Sequence, residues 1–151
     1  MKQEVNGEDA MRQFGATIGG LLTGGEVIEL VGDVGAGKTT LTKGIAVGMR
    51  IDETVQSPSF TISRLYEAPS GVKLAHYDFY RLIDAGIMAN DLQETVSDPR
   101  IVTIIEWAAI VDGVLPIDRL TITITSPAET VRRIAMTAGG EMSQRLLEKL
   151  A

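Results

Sequence analysis

The chain has 151 residues, of which 44% are hydrophobic and 23% charged, and its formal net charge is −6. Cys 0 and a single histidine exclude disulfides, thiolate zinc sites, a cysteine nucleophile and any multi-histidine metal centre. With 14 Lys and Arg against 20 Asp and Glu and no basic run, the chain is also a poor candidate for gripping RNA alone, because phosphate neutralisation dominates such binding.

The length fits one domain over 1–151, enough to bury about two thirds of the surface its unfolded chain exposes. No stretch approaches the ~20 apolar residues of a membrane span, and Met1-Lys2-Gln3-Glu4 leads into no signal-peptide core. A cytoplasmic protein without membrane association is expected.

In chain order, Met11, Phe14, Ile18, Leu21 and Leu22 recur at helical spacing and predict a helix over 8–22, ended by Thr23-Gly24-Gly25. Glycines inside it make this helix weak by propensity, so packing must hold it. Glu26 to Val31 reads as a strand, and Lys38 to Met49 as a helix whose buried face is Leu41, Ile45 and Met49. Between them, Gly32-Asp33-Val34-Gly35-Ala36-Gly37-Lys38-Thr39 satisfies G-x-x-x-x-G-K-[ST] in the strand-to-helix context that this motif requires.

The chemistry of a phosphate loop needs these residue types. Glycines let successive N–H groups aim into a concave anion nest that a side chain would obstruct. The following helix adds unpaired N–H groups and its positive dipole end. Asp33, Val34, Gly35, Ala36, Gly37, Lys38, Thr39 and Thr40 are therefore candidate nucleotide-binding residues. Lys38 would reach the β and γ phosphates, and the Thr39 hydroxyl would hold Mg²⁺. The competing reading is a glycine-rich turn that matches by accident; at ordinary glycine usage this happens in about one chain of this length in a hundred, so the phosphate loop is preferred.

Residues 52–58 read as loop, and residues 59–67 and 72–80 as a hairpin around Ala68-Pro69-Ser70-Gly71. Residues 84–96 are ambiguous, a broken helix at best. Ile101-Val102-Thr103-Ile104-Ile105 suits a central parallel strand covered on both faces. Leu120 to Thr125 alternates strictly and should pair with Thr130 to Ala138. Met142, Leu146, Leu147 and Leu150 mark a short C-terminal helix, about 141–151, that covers the domain's own core. The fold class that follows is α/β: a single P-loop NTPase domain with a mainly parallel central sheet, flanking helices and antiparallel hairpin additions.

Hydrolysis needs a second group beside the loop, delivered from the carboxyl end of a neighbouring strand. Glu106, directly after the buried run, stands where a Walker-B acid would; the alternative is a solvated strand-end acid. Asp78 is the second candidate, with His76, Asp78 and Tyr80 alternating onto one face, although a strand-end Asp is often only a turn former. Lys38, Asp78 and Glu106 form the candidate catalytic set, and Thr39 and Glu106 the candidate metal ligands. Arg64, Arg81, Arg132 and Arg133 are each a phosphate contact or a surface charge, and Arg132 is carried forward as a nucleotide-binding candidate. Trp107 is a core or interface anchor beside Glu106.

Taken together, GDVGAGKTT (32–40), QSPSFTISRLY (56–66), HYDFYRL (76–82) and IIEW (104–107) resemble the TsaE family. These are small bacterial P-loop ATPases needed to make threonylcarbamoyladenosine next to the tRNA anticodon. The resemblance implies that Lys38 binds the phosphates of ATP and that Thr39 and Glu106 hold Mg²⁺. It further implies that Ser57 to Phe60 form a switch-like loop over the γ-phosphate, making Ser57 a nucleotide-binding candidate, and that Asp78 is needed for hydrolysis. The implied partners are the TsaD and TsaB subunits, with tRNA reached only indirectly through them and hydrolysis slow without them. Ser59 departs from the commoner Thr, Phe79 from the commoner Leu, and residues 81–101 match the family poorly. Two alternatives of other classes remain: a small-molecule or nucleoside kinase, and a non-hydrolysing nucleotide-gated binding module. The first wants an Arg-rich lid, whereas residues 108–119 are short and nearly uncharged; the second needs neither Asp78 nor Glu106.

Overall fold

The computed structural model describes residues 1–57, 62–84 and 86–151. Its elements in chain order are β1 (Lys2–Asn6), α1 (Gly7–Leu21), β2 (Val27–Val31), α2 (Lys38–Gly48), β3 (Ser63–Glu67), β4 (Lys73–Asp78), α3 (Ile87–Val96), β5 (Ile101–Glu106), a 3₁₀ helix (Ala108–Val114), β6 (Leu120–Thr125), β7 (Val131–Ala138) and α4 (Glu141–Leu150). The strands form one sheet in the order β1-β7-β6-β2-β5-β4-β3. The four central strands, β6, β2, β5 and β4, are parallel, while β3 and the β7–β1 pair are antiparallel additions at either edge.

The apolar pattern explains the layering. Leu120, Ile28, Ile104 and His76 stand in one row across the sheet, and Ile122, Leu30, Glu106 and Asp78 in the next. This face packs against Met11, Phe14 and Ile18 of α1 and Leu41 and Ile45 of α2, with Leu146 of α4 completing the same core. The opposite face, carrying Val27, Ala75, Tyr77 and Ile105, is covered by Leu92 of α3 and Val111 of the 3₁₀ helix. Both faces of the central strands are thus covered, as the unbroken run in β5 requires. Tyr77 reaches through to α3, its hydroxyl donating to Asp91 Oδ2 at 2.6 Å.

The glycines of α1 have a packing role. Gly15 and Gly19 face Gly44 and Gly48 of α2 so closely that a Cβ built on Gly19 would lie 2.1 Å from the Ile45 carbonyl oxygen, and one on Gly44 2.3 Å from that of Arg12. Backbone therefore rests on backbone, which explains why glycines that weaken α1 in isolation belong there. α2, which carries Lys38 and Thr39, is held against α1 at this seam.

Several elements differ from expectation. The sequence suggested no strand ahead of α1, yet β1 pairs with β7 along its whole length, and only its Val5 is buried. α3 is a continuous helix of 10 residues rather than a broken one. The hairpin is shorter than expected, with β3 starting at Ser63 and β4 ending at Asp78, so Tyr80 lies beyond the strand. The expected start of the hairpin at Ser59 lies outside the described residues. Among the described residues no helix is long and apolar enough to cross a membrane.

Candidate active site

The site assembles at the carboxyl ends of β2, β5 and β4, where open α/β sheets place their ligands. β2 runs into a tight loop over Gly32 to Gly37, and α2 begins at Lys38. Gly35 and Gly37 have φ of +82° and +109°, a region other residues enter only with strain, so the loop's shape depends on them. The first N–H groups of α2 open towards a cleft of about 450 Å³ lined by Gly35, Gly37, Lys38, Thr39, Thr40 and Ser57 on one side. Asp78, Tyr80, Arg81, Glu106 and Trp107 line the other.

Register explains the pairing of the two acids. Asp78 ends β4 directly opposite Glu106 at the end of β5, and Glu106 is in turn opposite Leu30 of β2, immediately before the loop. Glu106 is buried, 3% exposed, and its Oε2 lies 2.6 Å from Nε2 of the fully buried His76. Asp78 is half-buried, and its Oδ1 accepts from the Tyr80 backbone N–H at 3.0 Å, which fixes the turn after β4.

Lys38 is the cation at the centre. Its Nζ donates to the Gly32 carbonyl at 2.6 Å and lies 3.9 Å from the centroid of the Trp107 ring, on which Tyr80 packs at 4.8 Å. Burial lowers the Lys38 ammonium from its ordinary value, against the opposing fields of Glu106, Asp78 and Asp33. Trp107 sits at φ +57°, in left-handed backbone directly after Glu106, a conformation that costs a non-glycine residue about 1–3 kcal/mol. That turn brings the indole over Lys38. Trp107 accordingly forms part of the cleft wall while also packing against the core on the α3 face of the sheet.

The other predicted residues fall as follows. Val34 is highly exposed at the loop tip, and the Asp33 carbonyl accepts from the Ala36 N–H inside the loop. Ala36 faces away from the cleft, into a second cavity of about 280 Å³ shared with Gly7, Glu8, Met11, Thr40, Thr130 and Arg132. Arg132 does not point a free guanidinium at the cleft: its Nε donates to the Ala36 carbonyl and its Nη1 to the carbonyls of Ala128, Glu129 and Val131. It ties the back of the loop to the β6–β7 turn. Ser57 lines the cleft, while Pro58, Ser59 and Phe60 of the expected switch-like segment lie outside the described residues.

A family model described as threonylcarbamoyl adenosine biosynthesis protein TsaE matches residues 5–134. The chain belongs to the TsaE family. Among curated TsaE relatives, the protein of Bacillus subtilis is 40% identical over 129 residues, covering 84% of this chain and 78% of the relative. That of Streptomyces coelicolor is 36% identical over 136 residues, covering 87% and 92%. The crystal structure of Bacillus subtilis YdiB superposes with a TM-score of 0.79 at 29% identity, covering 99% of this chain and 93% of that one. TsaE membership thus extends over nearly all of the sheet described above.

Some cleft residues of this TsaE chain were not singled out by sequence reasoning. Glu8 lines both cavities from the first turn of α1, where an acid is common in any helix. Thr130 directly precedes β7 beside the second cavity, and nothing in its local sequence marks it. His76 shares the face of Asp78, as expected, while Tyr80 lies beyond the strand; the imidazole sits beneath the cleft, bonded to Glu106, and does not line it.

Proposed function

We propose that this chain is the Mg²⁺-dependent ATP-binding and hydrolysing component of the machinery that installs threonylcarbamoyl on the adenosine next to the tRNA anticodon, acting with TsaD and TsaB in the cytoplasm. The observation that carries the reading is the convergence of Lys38 and Thr39, at the start of α2, with Glu106 and Asp78 at adjacent strand ends across one cleft. The TsaE membership supplies the pathway.

In this reading the triphosphate lies over the loop, where Lys38 leaves the Gly32 carbonyl to meet it. The nucleoside end extends towards the second cavity, which shares Glu8, Gly35, Gly37 and Thr40 with the cleft. Thr39 and Glu106 would hold Mg²⁺, which when bound neutralises charge on the phosphate oxygens. The donor set fits a hard cation that prefers oxygen and arrives largely on substrate phosphates. Consistent with this, no cluster of three or more His, Asp or Glu able to cage a metal occurs among the described residues. Asp78 would orient the water that attacks the γ-phosphorus as ADP leaves. Trp107 and Tyr80 exclude solvent from one side of Lys38.

The test is phosphate release from MgATP by the chain alone, with TsaD and TsaB, and with candidate small-molecule acceptors. Slow release alone, raised by the two subunits and indifferent to acceptors, is expected. Phosphoryl transfer to an acceptor would overturn it in favour of a kinase, and binding without turnover under any condition in favour of a nucleotide-gated module.

A further inference from the structure

We infer that His76 is a positioning residue that fixes the Glu106 carboxylate for Mg²⁺, an inference that rests on the magnesium role proposed above for Glu106. The imidazole is 0% exposed and sits two residues below Asp78 on β4, diagonally across from Glu106 on β5. Its row across the central strands is otherwise Ile104, Ile28 and Leu120, with the exposed Arg64 opposite it on the edge strand β3, so towards the central strands a leucine or valine would pack without any polar group to satisfy. Instead the ring holds Glu106 Oε2 at 2.6 Å through Nε2, and its Nδ1 has no hydrogen-bond partner among the described residues. A carboxylate only accepts, so Nε2 is the donor and Nδ1 is left without its share of bonding.

A stability role explains this poorly, because a buried polar pair with an unsatisfied atom gains little over an apolar replacement. A role in orientation explains it directly. Glu106 is the last residue of β5, its backbone leaves the strand into the left-handed turn at Trp107, and its side chain reaches the cleft floor. Within the described residues, the hydrogen bond to His76 is what selects a single orientation of the carboxylate and commits Oε2 to the protein. The other carboxylate oxygen is then the one available to a cation or its water. Partners of this kind, one shell behind a ligand, typically change metal affinity by about 10–100-fold when removed.

The experiment is calorimetric titration of ADP across a range of Mg²⁺ concentrations and in EDTA, with no turnover required. The variants are His76→Leu, His76→Asn and His76→Gln, each first checked for a cooperative thermal melt. A glutamine amide places its N–H near the Nε2 position, whereas an asparagine amide falls short, near Nδ1. Apparent Mg²⁺ affinity should fall about 10–100-fold in the Leu and Asn variants and return to wild type in Gln, with ADP binding in EDTA equal in all. If the Leu variant does not fold, the Asn and Gln pair decides. Wild-type Mg²⁺ affinity in the Asn variant, or equal losses in Asn and Gln, would overturn the inference. A wild-type protein whose ADP binding ignores Mg²⁺ would instead overturn the magnesium reading itself.

Discussion

Lys38 is held between two neutral partners, the Gly32 carbonyl and the Trp107 ring, and among the described residues it makes no direct ion pair, so its charge is available to an anion entering the cleft. Hydrogen bonds to charged groups contribute about 1.5–3 kcal/mol, and Lys38→Ala should weaken ATP binding at least about tenfold in calorimetry. Unchanged affinity would remove the loop from the binding site. Glu106→Gln is nearly isosteric and keeps an oxygen facing His76, so it should leave the fold and nucleotide binding close to wild type while lowering Mg²⁺-dependent turnover. If turnover persists, Glu106 is a bystander and Asp78 becomes the leading acid. The place of these residues in the cleft was legible because each stands at a motif position or directly after a buried strand. The tie from Arg132 to Ala36 was not, since a lone arginine gives no sign of which carbonyls it will meet 96 residues away.

Helix α1 shows how one residue type can carry opposite effects within an element. A Cβ at Gly19 would meet the Ile45 carbonyl at 2.1 Å, whereas one at Gly20 meets nothing within 4 Å. Gly19→Ala should therefore force α1 from α2, costing about 1–3 kcal/mol and lowering Tm by about 2–12 °C. Gly20→Ala should stabilise by about 0.5–1 kcal/mol through helix propensity. Thermal melts of the two variants check both signs. At the other end of the chain, Asp118 Oδ2 accepts from the Met142 N–H and Oδ1 from the Ser143 N–H and hydroxyl, anchoring α4. The Ser143 side-chain bond, ahead of its backbone bonds, holds this carboxyl below the usual range. Because the folded pKa is depressed, the stability it contributes is present above the ordinary Asp value of about 3.9 and is lost as pH falls through the lower folded value. The advantage of wild type over Asp118→Asn in urea melts should follow that course; an advantage independent of pH would contradict it. Among the elements, the sequence predicted best where the apolar period was clean, as in α1, α2, β5 and β6. It missed β1, whose one buried residue, Val5, leaves no alternation to read and whose partner strand lies at the far end of the chain. It undervalued α3 because only Leu92 of that helix is buried and Ile87 is almost fully exposed, so the helical stripe is hardly visible.

For the whole molecule, the sheet order is what turns separate motifs into a site. Parallel β2 and β5 are neighbours, and β4 lies beyond β5, so the loop after β2 and the acids ending β5 and β4 meet at one edge although they are far apart in sequence. Motif spacing named these residues, but their convergence depends on a strand order that local sequence does not encode. The net charge of −6 bears on how the chain meets RNA. Because phosphate neutralisation dominates RNA affinity, the chain alone should retain no tRNA in filter binding at about 150 mM salt. Tight binding by the isolated chain would point to a self-sufficient RNA-acting enzyme. The central claim is tested most directly by measuring threonylcarbamoylated tRNA in a mixture of TsaD, TsaB, tRNA, threonylcarbamoyl donor and MgATP, with wild-type chain, Lys38→Ala, Glu106→Gln or no chain. Modified tRNA should accumulate with the wild type and fall towards the chain-free level with either variant; equal yield from all four mixtures would contradict the account.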